Sequence, residues 1–419
     1  MSKADFTNTH DLMGALATTM NSVSPVVQHH HEQVAYLVHH LACELDVLPE
    51  ERELVVLAAL LHDVGAIFTE RPADTLDFEN YAVQLAHMSA KLMGGVEPLE
   101  GVGDIIYHSQ DAWYQLEGME LSAQLKMSAA IVHLADQIST AIDDDKTALA
   151  QVPQILAIAR EATPSEFCPE VFDAFARVAD KPYVWMDLVY HPTSLIKFVG
   201  EAYPVSLDAT VRLTRFMARL IDFRSPFTAM HSAGVRASAV RLAELMGMSE
   251  DECKMMSIAG DLHDLGKVRV PKEILEKPGK LTDEEFYIIQ EHAYYTFQIL
   301  YRVQGFEQIS QWAAFHHEKL NGKGYPFRLA SHQIGLGVRI MAVADIFSAI
   351  TEERPYRKGM KRSQIERILR ENVETGATCG VVTRMLLENF DDVNAARDAA
   401  SHDAGGRYFS DLGMAPSSW

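Results

Sequence analysis

Two six-residue stretches decide the reading of this chain: Leu60-Leu61-His62-Asp63-Val64-Gly65 and Asp261-Leu262-His263-Asp264-Leu265-Gly266. They lie 201 positions apart (62 to 263), as do Ser24-Pro25 and Ser225-Pro226, His30 and His231, and Val34 and Val235. One matching dipeptide arises easily by chance. A constant offset across three motifs does not, and it marks a unit of roughly 200 residues written twice. Further on the register drifts. His133–Ser139 resembles Ala342–Ser348, which sets Asp136 against Asp345, and Glu166–Phe175 resembles Gly376–Met385.

The repeated unit is helical. After His231, apolar residues fall at Val235, Ala239, Leu242 and Leu245, one helix face. Thr282 with Glu285, Ser249 with Glu252 and Ser363 with Glu366 have capping-box spacing ahead of helical runs. Few segments alternate with period two, so the expected fold is all-α. Two tandem domains are expected, 1–200 and 201–419, with Pro192 and Pro204 punctuating the boundary. The tail from Asn394, with Gly405-Gly406, reads as irregular.

Composition narrows the function classes. Apolar residues make up 48% of the 419, enough for an ordinary core in each half. The most apolar run, Glu53–Phe68, is interrupted by His62 and Asp63 and is too short to span a membrane. No apolar signal segment opens the chain, and Cys43, Cys168, Cys253 and Cys379 form no paired motif. A cytoplasmic protein with reduced thiols is expected. A net charge of −21 argues against a nucleic-acid polymer as partner, though not against a small anionic substrate held by metal ions.

The second half offers His231, His263-Asp264, His292, His316-His317 and Asp345 in order. His231 precedes Val235 by one turn and His292 follows Ile289 by three residues, so both face inward. A lone inward histidine is usually a satisfied core residue. Five of them with two aspartates on successive helices fit a metal site inside a bundle, because unpaired buried imidazoles are costly.

His263-Asp264-Leu265-Gly266-Lys267, together with His316-His317-Glu318 and the loop to Gly324-Tyr325-Pro326, resembles the HD-GYP subfamily of HD metal-dependent phosphohydrolases over residues 206–419. The resemblance implies a helical domain with a two- or three-metal centre that hydrolyses cyclic dinucleotides. It implies that His231, His263 and Asp345 hold one divalent metal, that His292, His316 and His317 hold the other, and that Asp264 bridges them. Iron or manganese is the expected metal, with zinc or nickel also suited to imidazole ligands. Lys267 would reach a phosphate oxygen, Arg354 and Arg357 base and phosphate, and Gly324, Tyr325 and Pro326 would shape the rim. The expected reaction is cleavage of a 3′–5′ phosphodiester to a linear 5′-phosphorylated dinucleotide in second-messenger signalling, as in bacterial members.

Three positions depart from the family pattern. Phe227 stands where some members carry a third-metal glutamate, so two metals are expected. Asn321 replaces a common aspartate, and Ser348 replaces an aspartate that lies near the substrate base in the family. Cyclic di-GMP and 3′,3′-cyclic GMP-AMP therefore both remain candidate substrates. The competing class is a non-catalytic nucleotide-binding signalling module, disfavoured by the complete ligand set. A nucleotide triphosphohydrolase or alarmone hydrolase would share the His-Asp pair but not the later loop.

The first half keeps His30, His62, Asp63, His87, His108 and Asp136, but has Ala66 in place of the lysine and no Gly-Tyr-Pro. His30, His62, Asp63 and Asp136 resemble the one-metal set of general HD phosphohydrolases, including 5′-nucleotidases. The alternatives are a working phosphatase with one further metal, and a degenerate copy kept for packing or homodimerisation.

Overall fold

The computed structural model describes residues 6–411 except 22–28, 69–77, 95, 97–98, 144, 191–194, 196–202, 223–225, 276, 278 and 353–358. The described residues form twenty α-helices, and their only strands are two of two residues each. Contacts group them into two units. One is Asn8–Pro204. The other is Val205–Trp419, which also takes Phe6 and Thr7. The proline-marked segment expected as the boundary lies mostly outside the described residues.

In the first unit, α1 (His30–Glu44) packs on α2 (Pro49–Leu61) and on α5 (Ala123–Ala141), while α3 (Phe78–Met93) packs on α4 (Val102–His108). The second unit centres on α7 (Pro226–Leu245). Around it lie α8 (Glu250–Leu262), α11 (Leu336–Thr351) and α14 (Phe390–Asp411), and α6 (Leu207–Asp222) packs on α8. Two further helices complete the site region: α9 (Asp283–Leu300) and α10 (Glu307–Ala314). Beyond α11 come α12 (Arg362–Glu374) and α13 (Gly380–Glu388). Helices α2 and α8 are both 13 residues long and keep the offset of 201 at both ends.

The face predicted on α7 is buried at Val235, Ala239 and Leu242 and half-buried at Leu245. Ile258 and Leu262 on α8 and Val343 and Phe347 on α11 are fully buried as well. Each large side chain among them contributes about 1.5–3 kcal/mol by leaving water. Helices α7 and α8 cross closely because residue 260 is glycine. A Cβ there would sit 2.6 Å from the Arg236 Cα. This close crossing brings His231 towards His263, whose rings lie 5.8 Å apart.

Two capping boxes form as expected, at Ser249/Glu252 and Thr282/Glu285. The third does not. Helix α12 starts before Ser363, the backbone N–H of Lys361 donates to Gln364 Oε1, and Glu366 pairs with Arg362 instead. The tail is also more ordered than its glycines suggest. Phe390–Asp411 is helical and lies along α7, where the Ser401 hydroxyl donates to the Met230 carbonyl. Gly234 makes this approach feasible, since a Cβ there would meet Ser401 Oγ at 2.7 Å. Cys168 and Cys379 each immediately precede a helix, as their repeat relation implied, and all four thiols are free. No helix among the described residues is long and apolar enough to cross a membrane.

Candidate metal centre

His263 caps the C-terminus of α8, and the chain then tightens into a 3-10 turn, Leu265–Arg269. That turn lies hard against α9. The Gly266 N–H donates to the Thr296 hydroxyl, and a Cβ at 266 would stand 2.1 Å from the His292 carbonyl oxygen. The glycine of the His-Asp motif is therefore what lets His263, Asp264 and His292 share one space.

The imidazoles are set by their own backbones. His263 Nδ1 bonds the Gly260 carbonyl at 2.8 Å, His292 Nδ1 that of Ile289 at 2.5 Å and His316 Nδ1 that of Ala313 at 2.5 Å. Each carbonyl lies three residues back and can only accept, so Nδ1 carries the proton and Nε2 presents a lone pair. Those three Nε2 atoms, with Asp264 Oδ1, are buried and have no hydrogen-bond partner. Orphaned buried acceptors of this kind are expensive, and bound divalent cations would satisfy them.

Two groups of donors result. His231, His263 and Asp264 converge within 4.8 Å, and so do His292, His316 and His317. Asp264 faces both. Its Oδ2 is 3.2 Å from His263 Nε2 and its Oδ1 3.4 Å from His292 Nε2. Asp345 sits across from it, with Oδ1 3.2 Å from His231 Nε2 and Oδ2 3.9 Å from His317 Nδ1. The structure thus brings together all seven residues singled out as ligands.

Electrostatics follow from burial and pairing. Burial, reinforced by neighbouring cations, lowers His292 to about 3 and His317 to about 4, and pushes His316 well down. Burial alone would lower His231, but the Asp345 and Glu352 carboxylates outweigh it and hold it up at about 9. Burial would also raise Asp264, yet His263 and Lys267 keep it well below the usual carboxylate range. Histidines α9 and the His-His pair supply are thus neutral and lone-pair bearing near pH 7.

Two carboxylates here were given no role from the sequence. Glu352, buried just after α11, brings Oε2 to 3.5 Å from His231 Nδ1. Glu318, the third member of His-His-Glu, holds the loop rather than an ion. Its carboxylate accepts the backbone N–H groups of Phe327 at 2.6 Å, Arg328 at 3.0 Å and Leu329 at 3.0 Å. The Tyr325 ring then lies 4.7 Å from that of His317, and Gly324 and Pro326 line a cavity beside it.

HD-domain family patterns match this chain twice, over residues 215–376 and over residues 27–141. The chain is a tandem of two HD domains, the second of HD-GYP type. The 3′3′-cGAMP-specific phosphodiesterase 1 of Vibrio cholerae is 28% identical over 89% of this chain and 90% of its own length. The 3′3′-cGAMP-specific phosphodiesterase 3 of the same organism is 41% identical, over 38% of this chain and 34% of that protein. A cyclic di-GMP phosphodiesterase of Pseudomonas aeruginosa is 39% identical over 43% of each. The crystal structure of the V. cholerae cyclic GMP-AMP specific phosphodiesterase V-cGAP3 shares the fold. Its TM-score is 0.64 at 20% identity, covering 94% of this chain and 98% of that one.

Other expectations for the HD-GYP domain meet the structure unevenly. Lys267 Nζ lies 2.5 Å from Asp264 Oδ2, so it rests on the carboxylate between the two donor groups. Arg354 and Arg357 lie outside the described residues, as does the side chain of Phe227. Ser348 is buried, and its hydroxyl, which has no hydrogen-bond partner, lies towards Gly234 on α7. Asn321 fastens a turn, with Nδ2 donating to the Thr375 carbonyl and Oδ1 accepting from the Lys323 N–H.

The first HD domain also gathers a cluster. His30, His62 and Asp63 converge within 4.8 Å, and Asp136 Oδ1 lies 2.9 Å from His30 Nε2 and 3.6 Å from His62 Nε2. His30 and His62 bring their Nε2 atoms to 3.3 Å. His31 is buried as well, its ring 5.4 Å from that of His62. His87 and His108 do not join: His87 stacks on Tyr107 at 4.0 Å, and His108 pairs with Asp111 at 2.7 Å.

Proposed function

We propose that the second HD domain hydrolyses the 3′–5′ phosphodiester of a cyclic dinucleotide, 3′,3′-cyclic GMP-AMP or cyclic di-GMP, to a linear 5′-phosphorylated dinucleotide. The observation that carries this reading is the pair of donor groups joined by Asp264 beside the Gly-Tyr-Pro loop. The relative that spans nearly the whole chain is named for 3′3′-cGAMP, which favours the mixed ring.

His231, His263 and Asp345 would hold one divalent ion and His292, His316 and His317 the other, with Asp264 between them. Iron or manganese suits this imidazole-rich set. Such a pair supplies a water that is nucleophilic at neutral pH and countercharge for the displaced oxygen. The chain's own residues do the rest. Lys267 screens Asp264 and offers its ammonium to a phosphate oxygen. Glu352 orients His231 through Nδ1. Glu318 fixes the loop that keeps Tyr325 against His317, and Arg354 and Arg357 would meet base and phosphate.

The first HD domain supports a second activity. His30, His62, Asp63 and Asp136 would hold a single ion, a set suited to removing the terminal phosphate of the linear product. Purified protein loaded anaerobically with manganese and given 3′,3′-cyclic GMP-AMP should release linear dinucleotide and then inorganic phosphate. Replacing His62 and Asp63 should stop phosphate release and leave ring opening intact. Phosphate release that survives the double substitution would remove the second activity.

A further inference from the structure

Two cavities of different chemistry meet at Tyr325 in the HD-GYP domain. The narrower, of about 360 Å³, has His316, His317 and Asp345 on one wall and Asn372 and Thr378 on another. Ile346 and Ile350 supply apolar surface between them. The wider, of about 790 Å³, lies on the other side of Tyr325 and is walled by Tyr287, Tyr294 and Tyr295. Arg269 lies 3.9 Å over the Tyr295 ring and steadies it.

Two residues of the narrow cavity's lining carry an unspent polar atom. Thr378 is 6% exposed and its Oγ1 has no hydrogen-bond partner. Asn372 donates from Nδ2 to the Ile368 carbonyl at 3.0 Å, which fixes the amide so that Oδ1 is the free acceptor. The turn that carries Thr378 is built around this asparagine, whose carbonyl accepts the N–H groups of Ala377 and Thr378. It is also tied to the Gly-Tyr-Pro loop, because the Leu320 N–H donates to the Ala377 carbonyl and Asn321 Nδ2 to the Thr375 carbonyl. The polar wall is therefore held at a fixed distance from the His-His pair. A buried hydroxyl without a partner costs free energy unless something enters to bond it.

We propose that the narrow cavity seats one purine of the cyclic dinucleotide, with Thr378 Oγ1 and Asn372 Oδ1 bonding its polar edge, and that the tyrosine-walled cavity across Tyr325 seats the other. This rests on the phosphodiesterase reading above. A phosphodiester brought to His316, His317 and Asp345 has its attached nucleoside beside the narrow cavity. One acceptor next to one adaptable hydroxyl matches an exocyclic amino or ring N–H beside a ring nitrogen or carbonyl. The tyrosine faces stack any base, with little selection. Discrimination between bases thus resides at Thr378 and Asn372, and the unlike cavities suit a ring with two unlike bases.

The test compares wild type, Thr378→Val and Tyr294→Ala, each checked for metal content. The kcat/KM for cyclic di-GMP, cyclic di-AMP and 3′,3′-cyclic GMP-AMP is measured for all three, and bis(p-nitrophenyl) phosphate, a diester without bases, is assayed on wild type. Thr378→Val should change the ratios among the three cyclic substrates by about fivefold or more, the worth of one hydrogen bond. Tyr294→Ala should raise KM for all three by similar factors and leave the ratios alone. Unchanged ratios in metal-replete Thr378→Val, with wild type active on the rings, overturn this proposal only. Wild type that cleaves the baseless diester but no cyclic dinucleotide overturns the cyclic-dinucleotide reading and this one with it.

Discussion

Leu85 in the first HD domain stands where His292 stands in the second. Each residue's carbonyl faces the glycine of the His-Asp motif: a Cβ on Gly65 would meet the Leu85 oxygen at 3.0 Å, and one on Gly266 the His292 oxygen at 2.1 Å. The same two glycines donate their N–H groups to a hydroxyl four residues further on, Ser89 and Thr296 respectively. The scaffold around the motif is therefore shared, while the second group of donors has lost its first histidine. This explains why His87, close by in sequence, stacks on Tyr107 instead.

Metal content should divide accordingly. Elemental analysis of anaerobically loaded protein should show two ions in the second HD domain and one in the first. His62→Ala should lose one ion and Asp264→Ala both ions of the second domain. An unchanged metal count in Asp264→Ala would contradict its place between the two donor groups.

Glu352→Gln keeps the shape of the side chain but removes the charge that faces His231 Nδ1. Losing a carboxylate partner of a ligating histidine lowers metal affinity by roughly 10–100-fold. Manganese titration of the stripped variant should show that loss, and Glu352→Asp should recover part of it. Titrations that overlay wild type would show that Glu352 has no hold on the ligand.

Glu318→Gln should loosen the Gly-Tyr-Pro loop without removing an ion. Three backbone N–H groups lose a charged acceptor, which costs about 1–3 kcal/mol. A lower urea midpoint with unchanged metal content is the expected result. A variant that binds fewer ions would instead make Glu318 a ligand.

The acid limb of stability reports on His292. Its folded value is lowered to about 3, against an ordinary 6.5 when unfolded. Between those values the unfolded chain binds a proton that the folded protein refuses, so stability falls as pH drops below 6.5. In metal-free protein, His292→Gln should therefore lose less stability between pH 6.5 and pH 5 than wild type does. The difference approaches about 1.4 kcal/mol per pH unit. Parallel Tm–pH profiles for the two proteins would refute this.

Much of the fold was legible because the repeat is exact where it matters. From Pro49 to Phe68 and from Glu250 to Arg269 the offset never changes, and helix, cap histidine and 3-10 turn all coincide. After the turn, insertions shift the register, so sequence proximity suggested His87 where space chose Leu85. The helical tail was missed because Gly405-Gly406 reads as a breaker, whereas packing against Met230 on α7 overrides that weak local preference. Glu352, Thr378 and Asn372 were illegible for another reason: they act through contacts made across elements distant in sequence, and no short motif announces them.

The most direct test of the account is the product of the ring. Manganese- or iron-loaded protein should be incubated anaerobically with 3′,3′-cyclic GMP-AMP and, separately, with cyclic di-GMP, and the products separated by chromatography. A linear dinucleotide bearing a 5′-phosphate is the predicted result, abolished by Asp264→Ala. Intact rings after incubation with protein whose metal content has been verified would contradict it, and would return the chain to the class of nucleotide-binding signalling modules.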